Sequence, residues 1–197
     1  MTGFGDRKLN ARPDTVDFRD RMYQPSLREV PPVLELDRYR RFGVPVLDQG
    51  AEGACTGFGL ATAANYLLRR RESDPDVTLT SARMFYEMAR RYDEWEGEDY
   101  DGSSARGAMK GWHKHGVCTD DLWSYQPGRK GDLTPERIAD AAARPLGAYY
   151  RVNHKELVSL HTALAEIGVV YVTAVVHEGW EQPDSKTGMI TPRSPST

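Results

Sequence analysis

The stretch Val44-Pro45-Val46-Leu47-Asp48-Gln49-Gly50-Ala51-Glu52-Gly53-Ala54-Cys55-Thr56-Gly57-Phe58 decides how the chain reads. Gly50 and Gly53 punctuate a loop that ends where a helical pattern begins. From there Phe58, Ala61, Ala64 and Leu68 recur at near-helical spacing, and Arg69-Arg70-Arg71 closes the end where a helix dipole favours cations. The loop therefore delivers Cys55 to a helix N-terminus, a position that stabilises a thiolate and lowers a thiol pKa from about 8.5. The small neighbours Gly53, Ala54 and Gly57 leave the sulfur approachable. Six residues upstream, the side-chain amide of Gln49 can donate to an oxyanion formed beside that sulfur. A lone cysteine at a helix start is usually only a small buried hydrophobe. The Gln-Gly-x-x-Gly-x-Cys surroundings favour a reactive one.

Outward from this loop, the next helix runs over about residues 81–93, with the face Phe85, Met88, Ala89, Tyr92 and a cap at Thr80 or Ser81. A third covers residues 104–115, with the face Ala105, Ala108, Met109, Trp112 and Gly116 as its left-handed terminator. Thr134-Pro135 opens a shorter helix as cap and first-turn proline. Residues 146–152 read as a strand. Asn153 and Glu156 form a capping box for a helix with the face Leu157, Leu160, Leu164, Ile167, ended by Gly168. The apolar, β-branched run 169–176 reads as a strand buried on both faces. Residues 1–45, broken by Pro13, Pro25, Pro31 and Pro32, read as an extended arm. The organisation expected is thus an arm (1–45), a helical lobe with the nucleophile helix (46–130) and a partial β lobe (131–197), which is an α+β order with a cleft between two lobes.

Composition narrows the function. The 197 residues suffice for a substantial core, and an aromatic content of 10% argues against disorder. A net charge of -3 gives no basic field, so nucleic acid is not expected as a partner. The longest apolar run is too short to cross a bilayer, and residues 1–12 carry no signal-peptide core, so no membrane partner and a cytoplasmic location are expected. Two isolated cysteines, Cys55 and Cys118, read as free thiols in a reducing compartment.

The loop resembles the active-site motif of the papain-like cysteine peptidases, with Gln49 as the oxyanion amide, Cys55 as nucleophile and Phe58 in the following helix. Val16-Asp17-Phe18-Arg19-Asp20 is similar to that family's start of the mature enzyme. Gly102-Ser103-Ser104 resembles its glycine wall, and residues 163–176 its helix and specificity-pocket strand. Thr187-Gly188-Met189-Ile190 resembles the segment before the catalytic His. The resemblance implies a two-lobe fold with an antiparallel β lobe and peptide-bond hydrolysis through a Cys55 thioester. Gly53, Gly102, Ser103 and Ser104 would line the substrate, a peptide or protein. No cofactor and no metal are implied. Thr56 stands where the family has an aromatic residue, and Glu52 and Tyr100 replace its two bracing cysteines, a combination similar to the short bacterial branch. No inhibitory pro-segment is expected ahead of Val16. The family's His and Asn fall downstream of Ile190, beyond residue 197, which leaves the sheet lobe incomplete and these residues alone inactive. The segment carrying them, as a separate chain, is a second expected partner.

The five histidines, His113, His115, His154, His161 and His177, read as packing or surface residues rather than as the missing base. His113-x-His115-x-x-Cys118 straddles a helix end and lacks a fourth ligand for zinc. The acidic run Asp93, Glu94, Glu96, Glu98, Asp99, Asp101 reads as a solvated loop, or as a field drawing basic substrate residues to the wall at Gly102. Two other classes of function use the same residues: a non-catalytic module holding an extended peptide, and a thiol-dependent amidase or transpeptidase.

Overall fold

The computed structural model describes residues 6–26, 29–93 and 101–192. Its centre is three packed helices, α2 (Cys55–Arg69), α3 (Ala82–Arg91) and α4 (Ala105–His115). The expected faces are the buried ones: Phe58, Ala61, Ala64 and Leu68 on α2, Phe85, Met88 and Ala89 on α3, Ala108 and Trp112 on α4. The Phe85 and Trp112 rings meet edge to face at 5.3 Å. Glycine permits the closest approaches: a Cβ on Gly57 would stand 2.7 Å from the Tyr86 backbone nitrogen, and one on Gly111 would stand 2.6 Å from Met88 Cβ. The helix ends follow the sequence. Ser81 accepts from the Met84 N–H, Ser104 from the Gly107 N–H and Thr134, ahead of Pro135, from the Arg137 N–H. Gly116 and Gly168, both with positive φ, end α4 and the helix over residues 157–167.

Outside this centre the structure departs from the sequence reading. A four-residue helix, α1 (Asp37–Arg40), interrupts the arm. Arg69, at the cationic helix end, also donates to the carbonyls of Phe42, Gly43 and Val77 and fastens the arm to the end of α2. Helix α5 (Pro135–Ala141) precedes α6 (Leu157–Ile167), and a short 3-10 helix, Glu178–Glu181, follows. Glu156, not Asn153, is the N-cap of α6, and no capping box forms, because the Asn153 side chain takes the Lys155 N–H instead. The α6 face turned inward is Ser159, Thr162 and Ala163, while Leu157, Val158 and Ile167 face outward.

No strand forms among the described residues; three isolated bridges are the only ladder contacts there. Residues 146–152 contribute one of them, Arg151 to Met22. The run 169–176 is not a buried strand: Val175 is 97% exposed. A parallel strand's apolar faces need partners on both sides and ladder neighbours on its edges, and residues 177–192 supply neither. The antiparallel β lobe is therefore not observed. Trp112 and Trp123 are buried, and Trp180 is exposed. Glu94, Trp95, Glu96, Glu98, Asp99 and Tyr100 lie outside the described residues.

Ion pairs hold the early chain against the body. Arg106 and Arg151 both grip Asp14 and Asp20, with Arg106 Nε 3.1 Å from Asp14 and Arg151 Nε 2.8 Å from Asp20. Phe18, inside the Val16-to-Asp20 motif, is 96% exposed, so the charged residue Asp20 is the anchor there. Arg106, then Arg151, holds the Asp20 carboxyl well below the usual carboxylate range against the opposing effect of its burial. A depressed folded pKa contributes stability above the unfolded value near about 3.9 and loses it as pH falls further. Asp20→Asn should speed proteolysis within residues 13–23 at pH 7. The gap between wild-type and variant rates should be constant above about pH 5 and narrow progressively as pH falls below about 4, without closing at about pH 3, because the folded carboxyl stays ionised well below the unfolded value.

Candidate active site

Cys55 opens α2, and nothing else competes for that helix end. The N-cap is Ala54, no side chain caps it, and the first turn has no acidic residue. The orphan backbone N–H groups are left to an anion or a sulfur, and the N–H groups of Cys55 and Thr56 point to the thiol. Gln49 is 9% exposed, and its side-chain nitrogen donates to the carbonyls of Lys8 and Glu52, each at 3.0 Å. Its own carbonyl accepts from the Tyr125 hydroxyl at 2.7 Å.

The loop between them is braced by charge. Arg83, with a fully buried side chain, forks onto both oxygens of Glu52 at 2.7 and 2.9 Å and reaches Glu87 at 3.0 Å. It also donates to the Gln126 carbonyl and lies 4.6 Å over the Tyr125 ring. Burial raises the Glu52 pKa, but Arg83 outweighs it and the carboxyl titrates below its usual range. For Glu87 burial prevails over the same guanidinium and the shift is upward. The sequence marked Glu52 only as a replaced cysteine; its partner on α3 was not foreseen.

The wall opposite is Gly102, Ser103 and Ser104, all buried. Its side chains are committed to structure: the Ser103 hydroxyl meets the Thr56 hydroxyl, and Ser104 caps α4. Thr56 thus ties the nucleophile helix to the wall. What Ser103 offers the cleft is its carbonyl. Tyr171, which the sequence reading did not single out, donates to the Thr56 carbonyl at 2.8 Å and lies beside Cys55; burial raises its pKa.

One element was expected to leave the site clear and does not. Residues 7–12 run through it. The Lys8 carbonyl takes the Gln49 amide, the backbone N–H groups of Asn10 and Ala11 lie by Cys55 and favour its thiolate, and the Arg12 N–H donates to the Ser103 carbonyl at 3.2 Å. A Cβ on Gly53 would stand 2.5 Å from Asn10 Oδ1, so Gly53 leaves room for this segment. Its burial pushes the Cys55 pKa up despite those four N–H groups. The expectation of a depressed pKa fails because removal of water costs the anion more than the dipole and N–H groups return.

The histidines lie elsewhere. His115 bonds the Tyr92 hydroxyl at 2.6 Å, His113 faces the Gly147 carbonyl and His177 accepts from the Gly179 N–H. His154 is exposed and His161 lies by Pro25 and Val30. Among the described residues none bonds Cys55, and no group of three or more His, Cys, Asp or Glu side chains is placed to hold a metal. No described helix is long and apolar enough to cross a membrane.

Solved structures carry the same fold. The chain is similar to xylellain, a cysteine protease from Xylella fastidiosa, with 27% identity and a TM-score of 0.65 over 82% of this chain and 64% of that one. It is similar to digestive procathepsin L 3 from the larval midgut of Tenebrio molitor, with 20% identity and a TM-score of 0.58 over 74% of this chain and 44% of that one. The architecture is papain-like, and the chain spans less than two thirds of the length of either structure. No protein-family model matches it, and no curated protein does.

Two outcomes test this geometry. Arg83→Met strands two nearly buried carboxylates and should lower stability to urea by about 3–5 kcal/mol, with part recovered when Glu52→Gln is added. Iodoacetamide should modify Cys55 faster than Cys118, which is fully buried and whose pKa burial pushes up to about 11. With its own pKa also raised, Cys55 should react faster with each step of pH from about 7 to 9 without levelling off, as mass spectrometry of the labelled peptides would read.

Proposed function

We propose that this chain is the nucleophile-bearing part of a papain-like cysteine peptidase. Cys55 attacks a peptide carbonyl and forms a thioester, and Gln49 with the Cys55 N–H stabilises the oxyanion. The backbone at Gly102 and Ser103 holds the substrate extended, with Ser104 fixing that wall at the helix it caps. The imidazole and its orienting Asn come from sequence beyond residue 197. That segment, in the same polypeptide or as a separate chain, completes the sheet lobe and covers Leu157, Val158 and Ile167. A cytoplasmic setting suits the two free cysteines. The observation that supports the reading is that one short stretch, residues 8–12, bonds both Gln49 and the Ser103 carbonyl while passing the α2 N-terminus that carries Cys55, in a fold like that of xylellain.

A second reading, a peptide-binding module without chemistry, has one observation in its favour: the cleft holds a peptide segment while no described imidazole reaches the thiol. The two separate in a fluorogenic peptide assay under reducing conditions. Residues 1–197 alone should give no turnover, since general acid–base help is worth about 10²–10⁴-fold. Fusion to the downstream sequence should give turnover that Cys55→Ala abolishes. A completed protein that binds peptides tightly and never cleaves them would leave only the binding module.

A further inference from the structure

The first turn of α2 is held at one residue from two directions. The Thr56 hydroxyl meets the Ser103 hydroxyl on the wall, and the Thr56 carbonyl accepts from the Tyr171 hydroxyl at 2.8 Å. Tyr171 comes from residues 169–176 and packs on the buried core, while Val172 and Val175 of the same run are exposed. Its ring lies against Gly59, where an added Cβ would stand 3.2 Å from Tyr171 Cε2. Cys55 and Gly59 are four residues apart on one helix and share a face. A ring packed at Gly59, with its hydroxyl reaching back to Thr56, runs along that face and comes beside the sulfur. Burial holds the phenol's pKa well above the usual tyrosine value, so it adds no charge to the site while a thiol titrates. What it adds is apolar cover. At the sulfur, burial prevails over the N–H groups of Thr56, Ala11, Cys55 and Asn10, all of which favour the thiolate. The charged side chains on the surrounding elements are matched with one another: Arg7 with Asp48, Lys8 with Asp101 and Glu52 with Arg83.

We infer that Tyr171 is a positioning residue of this site: its ring closes the α2 face shared by Cys55 and Gly59 against water, its hydroxyl on Thr56 fixes the ring there, and the sulfur is thereby kept unreactive until a base is brought to it. The inference rests on reading Cys55 as the reactive thiol. An anion forming at the sulfur on that side meets an aromatic face in place of water, which disfavours it. Gly59 is what lets the ring come so close, and the cover comes from residues 169–176, a part of the chain more than a hundred residues away from the helix it protects.

The test titrates the thiol in residues 1–197 and needs no turnover. Iodoacetamide labelling of Cys55 across pH, read by mass spectrometry, gives its midpoint. Tyr171→Gln keeps a donor for the Thr56 carbonyl but loses the ring, and it should lower that midpoint. Each unit of fall should speed labelling at neutral pH about threefold, because the gain in thiolate outweighs its lower nucleophilicity. Tyr171→Phe keeps the ring and should hold the midpoint close to that of the unaltered chain. The rate at Cys118 should be the same in all three proteins. An unchanged midpoint in Tyr171→Gln, or a fall in Tyr171→Phe as large as that in Tyr171→Gln, would overturn the inference. So would a gain in labelling that Cys118 shares, since that belongs to an opened fold. Cys55 labelling no faster than Cys118 in the unaltered chain would sink the reading of Cys55 as the reactive thiol, and this inference with it. A completed protein that cleaves no peptide, with the titrations as stated, would sink only the hydrolytic reading.

Discussion

A guanidinium removed from water needs anions and acceptors in place of its hydration, and Arg83 finds Glu52, Glu87, the Gln126 carbonyl and the Tyr125 ring, with its Nε left unpaired. That requirement ties three parts of the chain together. Arg83 belongs to α3, Glu52 to the loop before the nucleophile helix, and Tyr125 and Gln126 to the segment after α4. Tyr125 also holds the Gln49 carbonyl. The position of Gln49 relative to Cys55 is therefore set from α3, through a side chain with no solvent contact. A disulfide would fix the same loop by covalent geometry. Here bidentate charge pairing does so with no dependence on oxidant.

The second constraint is closeness. Gly57 lets the first turn of α2 lie against the Tyr86 backbone, and the paired hydroxyls of Thr56 and Ser103 draw the wall onto that turn. Thr56 in place of an aromatic residue is thus matched by Ser103 across the contact. The wall's side chains face the protein and its backbone faces the cleft. Such a surface binds peptides by main-chain hydrogen bonds, and any sequence preference must come from neighbouring side chains.

The protonation of Cys55 follows from a contest between the helix N-terminus and burial. The N–H groups of Cys55 and Thr56 favour the thiolate, while exclusion of water disfavours it more. An imidazolium beside the sulfur would tip this balance, since an opposite charge nearby favours the charged form. The reactivity of the site is therefore a property of what occupies the cleft as much as of the helix that carries the thiol.

The helical centre was legible in the sequence because its signals are local. Period-3.6 apolar spacing, the Ser81, Ser104 and Thr134 caps, and the positive-φ glycines at 116 and 168 each act within a few residues. The juxtaposition of Gln49 and Cys55 is local for the same reason. Four features depended on distant partners and could not be read that way. Residues 169–176 have the composition of a buried strand, but a strand needs ladder neighbours, and none is present among the described residues. The α6 helix turns Ser159, Thr162 and Ala163 inward because the small, polar side fits against the arm, where Tyr23 and Ser26 bond Glu166. The placement of residues 7–12 over Cys55 and the pairing of Glu52 with Arg83 join positions dozens of residues apart. Sequence by itself determined the central helices and the place of Cys55 at the start of one of them. Tertiary structure decided what covers the thiol and what holds its loop, because burial and charge pairing exist only once distant segments meet.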